Sequence, residues 1–147
     1  MFIYKDNGSC LGRTNRQTNT VDWITYEEVL ARSKHFADGL LQLGLKSKNQ
    51  SSLGIYSANC PEYVIAEYGS YRHSIIVVPI YDTLGTNVAS FISNQAELTC
   101  ITCDKVDRID RIIEQANKFT TLKHIVLMNS HLVSDQLRAK GNEYHVL

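Results

Sequence analysis

A few short runs in the 147-residue chain carry residue types that could do chemistry. Gly39 and Gly44 followed by Lys46-Ser47 come close to a phosphate loop, in which backbone N–H groups and a lysine cradle a nucleotide's phosphates. The lysine stands one position late. Gly39 falls inside a helical pattern, and that helix precedes the first strand of an alternating series instead of following one. A helix end with a solvated lysine tail accounts for the run. No G-x-G-x-x-G is present, nor any loop dense in Gly, Ser and Thr, so the dinucleotide fingerprint is missing too. Cys100 and Cys103 form a C-x-x-C, a spacing used for zinc and for disulfide exchange. Both fall in a strand pattern, where residues three apart point to opposite faces and cannot share one metal ion. No second C-x-x-C or nearby His pair completes a ligand set, so buried core cysteines are the expectation. Cys60 and His73 would make a nucleophile–base pair if the fold joined them, which spacing alone leaves open; a histidine near a helix end is more often structural.

The most suggestive loop is Tyr81-Asp82-Thr83-Leu84-Gly85. It follows a continuously apolar strand pattern, at its carboxyl end, where open α/β sheets bind ligands. Tyr81, Asp82, Thr83, Leu84 and Gly85 are therefore the candidate substrate-binding residues. The competing reading is a turn and helix start with Asp82 or Thr83 as the cap. No catalytic, cofactor-binding or metal-ligating residue emerges.

The elements that must position these runs alternate. Residues 6–22 are rich in Asn, Thr, Gly and Arg with little periodicity, and an irregular lead-in is expected over 1–22. Thr25-Tyr26-Glu27-Glu28 fits a capping box, with the Thr25 hydroxyl on an orphan N–H and Glu28 reaching back. Val29, Ser33, Phe36, Ala37, Leu40 and Leu41 follow at helical spacing, and Gly44 sits where a left-handed cap belongs. Strands are expected at Leu53–Ser57, Ile75–Ile80, Leu98–Cys103 and Lys123–Met128, with a fifth at Tyr144–Leu147. Ile75–Ile80 reads as buried on both faces. Helices are expected from Asn59-Cys60-Pro61-Glu62, with Val64, Ile65, Tyr68 and Tyr71, and after Gly85, with Val88, Phe91 and Ile92 on one side. Another is expected from a cap at Asp104, with Val106, Ile109, Ile112, Ile113 and Ala116 inward and Asp107 and Arg111 as a solvated pair. The last runs over Leu132–Lys140, stopped by Gly141. Strand–helix alternation at this spacing implies an α/β fold: an open, largely parallel sheet with helices on both faces, over 23–147.

Composition excludes several classes. Fifteen Lys+Arg against fifteen Asp+Glu give no net charge, which argues against a nucleic-acid binder. The longest apolar run is far short of the roughly 20 residues that span a bilayer. The start is too quickly charged for a secretory signal. Four cysteines do not make a disulfide scaffold, so a reduced, soluble intracellular chain is expected.

Ordered landmarks carry a resemblance. Asn7-Gly8-Ser9-Cys10-Leu11-Gly12-Arg13, Trp23-Ile24-Thr25-Tyr26-Glu27-Glu28-Val29, Gly54-Ile55-Tyr56-Ser57-Ala58-Asn59-Cys60-Pro61-Glu62 and Val77-Val78-Pro79-Ile80-Tyr81-Asp82-Thr83-Leu84-Gly85 follow one another with sensible gaps. Ala96-Glu97-Leu98 and Leu122-Lys123-His124-Ile125-Val126 continue the series. From about Gly8 onward the chain resembles the N-terminal part of long-chain acyl-CoA synthetases, the long-chain fatty acid–CoA ligases of the adenylate-forming, AMP-binding superfamily. Tyr63 stands where that family has Trp, and Arg72-His73-Ser74 lacks the Gly of the wider superfamily.

The resemblance implies a parent activity: ATP and a fatty acid give an acyl-adenylate and pyrophosphate, and CoA then displaces AMP, with Mg²⁺ assisting. Family members are several times longer. Their Ser/Thr/Gly-rich phosphate loop, adenylate-binding motifs, catalytic lysine and membrane anchor have no counterpart in these 147 residues. An N-terminal fragment inactive alone and binding no cofactor is therefore expected, the parent using ATP, Mg²⁺ and CoA. The alternatives are a non-catalytic module pairing with a full-length ligase through an exposed sheet edge, or a small independent α/β enzyme using the Tyr81–Gly85 loop. The parent family is often associated with endoplasmic reticulum, mitochondrial outer or peroxisomal membranes.

Overall fold

The computed structural model describes residues 7–15, 17–81, 83, 85, 87–140 and 145–146. The chain opens with an antiparallel hairpin of β1 (Ser9–Asn15) and β2 (Thr20–Thr25) that pairs Gly12 with Trp23 and Arg13 with Asp22. Over these strands the irregular lead-in expected for 1–22 is therefore corrected; residues 1–6 lie outside the described residues. Both faces of the hairpin are largely exposed, so no apolar alternation marks it. Its turn is built by Asn15, whose Oδ1 accepts the Gln17 N–H at 3.1 Å, and by Asn19 in the left-handed region at φ 54°.

Helix α1 (Tyr26–Gln42) starts and stops where its residue types dictate. Thr25 Oγ1 accepts the Glu28 N–H at 3.3 Å. Glu28 itself turns to Arg32, 3.6 Å away. The reciprocal contact comes from Asn7, which accepts the Glu27 N–H and donates to the Glu27 carboxylate, both at 2.9 Å. At the far end Gly44 takes φ 89°, and the N–H groups of Gly44 and Leu45 close on the carbonyls of Leu41 and Leu40 at 3.0 and 3.1 Å.

Then strands and helices alternate: β3 (Ser52–Tyr56), α2 (Pro61–Arg72), β4 (Ile76–Ile80), α3 (Val88–Gln95), β5 (Cys100–Cys103), α4 (Val106–Glu114), β6 (His124–Leu127), α5 (Asp135–Lys140) and β7 (His145–Val146). The last five strands form one parallel sheet in the order β4-β3-β5-β6-β7. Two cores lie against its two faces. Leu40 and Phe36 of α1 and Ala66 of α2 pack with Leu53, Ile55 and Cys100 on one side. Val88 of α3, Ile109 and Ile112 of α4 and Leu137 of α5 pack with Tyr56, Ile101, Cys103 and Ile125 on the other. This is the α/β fold with helices on both faces that the alternation implies.

Several local expectations change. β4 is an edge strand with Ile76 45% exposed, and the enclosed strand is β5. An apolar run does not reveal whether a strand is central, but Pro79, which has no N–H for a ladder, belongs at an edge. Phe91 is 68% exposed, while Val88 and Ala89 form the buried side of α3. Asp104 does not cap α4; Lys105 holds the cap position. Arg111 reaches the Tyr56 hydroxyl at 3.5 Å. The helix expected over Leu132–Lys140 becomes a 3₁₀ turn, Ser130–Leu132, and α5, whose start is set by Ser134 Oγ accepting the Leu137 N–H at 3.1 Å. Gly141, Tyr144 and Leu147 lie outside the described residues.

Candidate functional site

The strand order reverses between β3 and β5, since the chain steps from β3 outward to β4 and then returns to the other flank of β3. Loops diverge at such a point and leave a crevice outside the carboxyl ends of the strands. A cleft of about 420 Å³ lies there, bounded by Cys60 after β3, Asp104 and Lys105 after β5, and Met128 and Asn129 after β6. Arg13 from β1, Arg32 from α1 and Glu62 from α2 close it on the hairpin side.

Its charges are organised in two groups. The Glu62 carboxylate is shared by two guanidiniums: Arg13 bonds one oxygen and Arg32 lies 3.4 Å from the other. The Asp104 carboxylate bonds Arg108 through one oxygen and accepts the Ala58 N–H at 3.2 Å through the other, which ties the β3 and β5 loops together across the reversal. Arg108 also lies over the Tyr56 ring, 5.2 Å from its centroid. Lys105 has no ion-pair partner among the described residues. Three cations thus line the cleft beside two carboxylates, one of which is already held by Arg108.

The sequence candidates fall elsewhere. Tyr81 is 51% exposed at the end of the edge strand β4, and Thr83 and Gly85 are exposed; Asp82 and Leu84 lie outside the described residues. Gly85 has φ 103°, a conformation that favours glycine. Tyr81 neighbours Tyr63, whose phenol pKa is raised by burial and then by Glu67 and Tyr81. Cys60 and His73 sit at opposite ends of α2, roughly 20 Å apart at helical rise, so they form no nucleophile–base pair. Cys60 lies 3.5 Å from Ser57 Oγ, and His73 lies 3.7 Å from Asp38. Cys100 packs in one core and Cys103 in the other, which confirms their opposite faces. Burial pushes the Cys100 thiol up to about 12, so it stays protonated at neutral pH. Among the described residues no group of three His, Cys, Asp or Glu could hold a metal ion.

The reversal-point cleft was missed from the sequence because Arg13, Glu62 and Asp104 are about 40 to 50 residues apart and unite only through strand order. One signal was available. A second cavity of about 460 Å³ joins Leu11, Gly12, Arg13 and Thr14 to Asn59, Cys60, Pro61 and Val64, so two of the sequence landmarks meet in space.

A family model described as AMP-binding enzyme matches residues 10–146. This chain belongs to the AMP-binding enzymes. Among curated relatives, long-chain-fatty-acid–CoA ligase 5 of Mus musculus is 36% identical over 140 residues, which is 94% of this chain and 20% of the relative. Long-chain-fatty-acid–CoA ligase 1 of Cavia porcellus is 38% identical over 128 residues, 86% of this chain and 18% of the relative. The chain spans about a fifth of the length of these relatives. The fold recurs in the Mycobacterium tuberculosis fatty acyl CoA synthetase, with TM-score 0.65 and 21% identity over 92% of this chain and 26% of that one. It recurs also in the A domain of the Segniliparus rugosus carboxylic acid reductase in complex with AMP and a co-purified carboxylic acid, with TM-score 0.69 and 13% identity over 95% and 25%.

Both arginines of the cleft are paired with Glu62, the sequence holds no Ser/Thr/Gly-dense loop, and the described residues include no group of three His, Cys, Asp or Glu placed to hold a metal ion. No helix of the described residues is long and apolar enough to cross a membrane.

Proposed function

We propose that this chain is the N-terminal scaffold of an ATP-dependent long-chain fatty acid–CoA ligase. The parent reaction forms an acyl-adenylate and pyrophosphate from ATP and fatty acid, with Mg²⁺, and CoA then displaces AMP. These residues contribute the first strands of the large domain's sheet and help wall the acyl site; they do not grip the triphosphate. The observation that carries the reading is the match to long-chain ligases at 32–38% identity along most of the chain. Activation of a carboxylate needs preorganised positive charge and backbone donors around the triphosphate, and the two arginines that could supply charge are held by one carboxylate. The test is ATP–pyrophosphate exchange with palmitate and Mg²⁺. The 147-residue chain gives no exchange above background, and a ligase carrying this segment within its full length does. Turnover by the 147 residues at the level of a complete ligase overturns the reading.

The exposed edge of β4 favours a second reading, in which the chain pairs with a full-length ligase through that strand. Co-purification with a tagged full-length ligase supports it, and a clean monomer that captures none removes it.

A further inference from the structure

Helix α2 is apolar on two sides. On the inner side Ile65, Ala66 and Gly69 are buried, Ala66 against the sheet and Gly69 against α1. The outer side carries Val64, Tyr68 and Tyr71, the i, i+4, i+7 spacing of a packing seam. Val64, beside the hairpin, is half-buried, but both tyrosines are 53% exposed. A helix that is apolar all round is ordinarily covered all round. Tyr68 and Tyr71 have no such cover among the described residues.

The two rings are already fixed. The Tyr71 hydroxyl donates to the Glu67 carboxylate at 2.8 Å, and its ring meets Tyr68 edge-on, with centroids 6.4 Å apart and planes at 67°. Aromatic side chains held in place lose little freedom on docking. Glu67 and Arg72 flank the seam on opposite sides. Five residues apart, they stand about 140° from each other around the helix and do not face one another. Neither has an ion-pair partner among the described residues. An occupant that complements this face offers an apolar stripe, a cation beside Glu67 and an anion beside Arg72. A second copy of α2 offers all three. In a twofold pair, Glu67 of each copy meets Arg72 of the other, so both charges are matched at once.

We propose that the Tyr68–Tyr71 face of α2 joins two copies of this chain, helix against helix, with Glu67 of each copy paired to Arg72 of the other. The contact is separate from the free flank of β4 and needs no ligase chemistry.

Sedimentation equilibrium of the 147-residue chain from about 10 to about 500 µM tests it, since two helical turns of contact make a weak dimer. The expected result is a reversible monomer–dimer equilibrium, with the average mass climbing toward twice that of the monomer. Glu67→Arg and Arg72→Glu each set like charges against one another and weaken the dimer about tenfold. The double swap Glu67→Arg/Arg72→Glu restores it. An equimolar mixture of the two single variants restores it as well, because the arginines of one then meet the glutamates of the other; this recovery also shows that the variants are folded. The proposal is overturned by a monomer at every concentration, by single variants that associate like the unaltered chain, or by failure of both the swap and the mixture to restore the dimer. It is overturned equally by a chain that stays monomeric alone yet captures a full-length ligase, or by association that Ile76→Lys abolishes and the charge variants leave unchanged. None of these outcomes depends on pyrophosphate exchange, so this inference and the ligase reading can fail separately.

Discussion

Asp104 and Ala58, 46 residues apart, meet across the strand reversal: the Asp104 carboxylate accepts the Ala58 N–H at 3.2 Å while its other oxygen holds Arg108. The Asp104 and Arg108 side chains are 11% and 10% exposed, so this pair sits in a poorly solvated place. Removing one partner of such a pair leaves the other charge buried without its counter-ion, whereas removing both can be nearly neutral. Asp104→Ala is therefore expected to lower unfolding free energy by about 3 kcal/mol in urea melts. The double variant Asp104→Ala/Arg108→Met recovers at least half of that loss. If Asp104→Ala melts with the unaltered chain, the link across the reversal contributes nothing to stability.

Cys100 yields a prediction at alkaline pH. Burial pushes its folded thiol up to about 12 from the ordinary 9.0. A raised pKa means that the folded state holds its proton where the unfolded chain has lost it. The contribution is intact below pH 9 and is lost as pH climbs toward 12, at a slope of up to about 1.4 kcal/mol per pH unit. Tyrosines and lysines also titrate in that range, so the informative quantity is the difference between the unaltered chain and Cys100→Ala. That difference narrows steadily with pH above 9. A difference constant from pH 8 to 11 removes the effect. At neutral pH a thiol reagent is expected to modify Cys60 well before Cys100, since Cys60 is partly exposed and Cys100 is fully buried.

The exposed edge of the sheet carries its own test. Ile76 begins β4 and is 45% exposed on a strand whose outer flank no other strand covers among the described residues. Apolar edge strands template association, and lysine at such a position suppresses it. Ile76→Lys is expected to lower the apparent mass seen by static light scattering at high concentration, with unfolding free energy changed by no more than about 0.5 kcal/mol. An identical scattering curve for the two proteins shows that β4 drives no association.

How far the sequence could be read depended on whether a feature is local. Thr25 and Gly44 bracket α1 because a cap and a left-handed stop are each made by one residue acting on its own neighbours. The opposite faces of Cys100 and Cys103 followed from strand period alone. The hairpin over Ser9–Thr25 was not legible, since neither of its faces is buried enough to impose a pattern. β4 misled for the opposite reason: its residues are as apolar as those of a central strand, and only Pro79 hinted at the edge. The cleft depends on strand order, a property of the whole sheet that no window of residues contains. Residues of the landmark runs nonetheless line it, Arg13 and Glu62 among them, because β1 packs against the start of α2.

Two glycines one helix apart separate backbone propensity from packing. An added Cβ at Gly69 of α2 would stand 2.8 Å from the carbonyl oxygen of Ser33 and 3.0 Å from the Phe36 ring. The first of these is α1 backbone, which cannot swing aside as a side-chain tip can, so α1 and α2 must separate. Glycine within a helix costs about 1 kcal/mol relative to alanine, and overpacking costs about 1–3 kcal/mol. At Gly69 the clash outweighs the propensity, and Gly69→Ala is expected to lose about 1 kcal/mol or more. At Gly39 of α1 the same Cβ meets nothing within 4 Å, so only propensity acts. Gly39→Ala is expected to gain up to about 1 kcal/mol. Thermal or urea melts of the two single variants therefore move in opposite directions. A gain at both positions would mean that the close approach of α2 to Ser33 and Phe36 is not rigid.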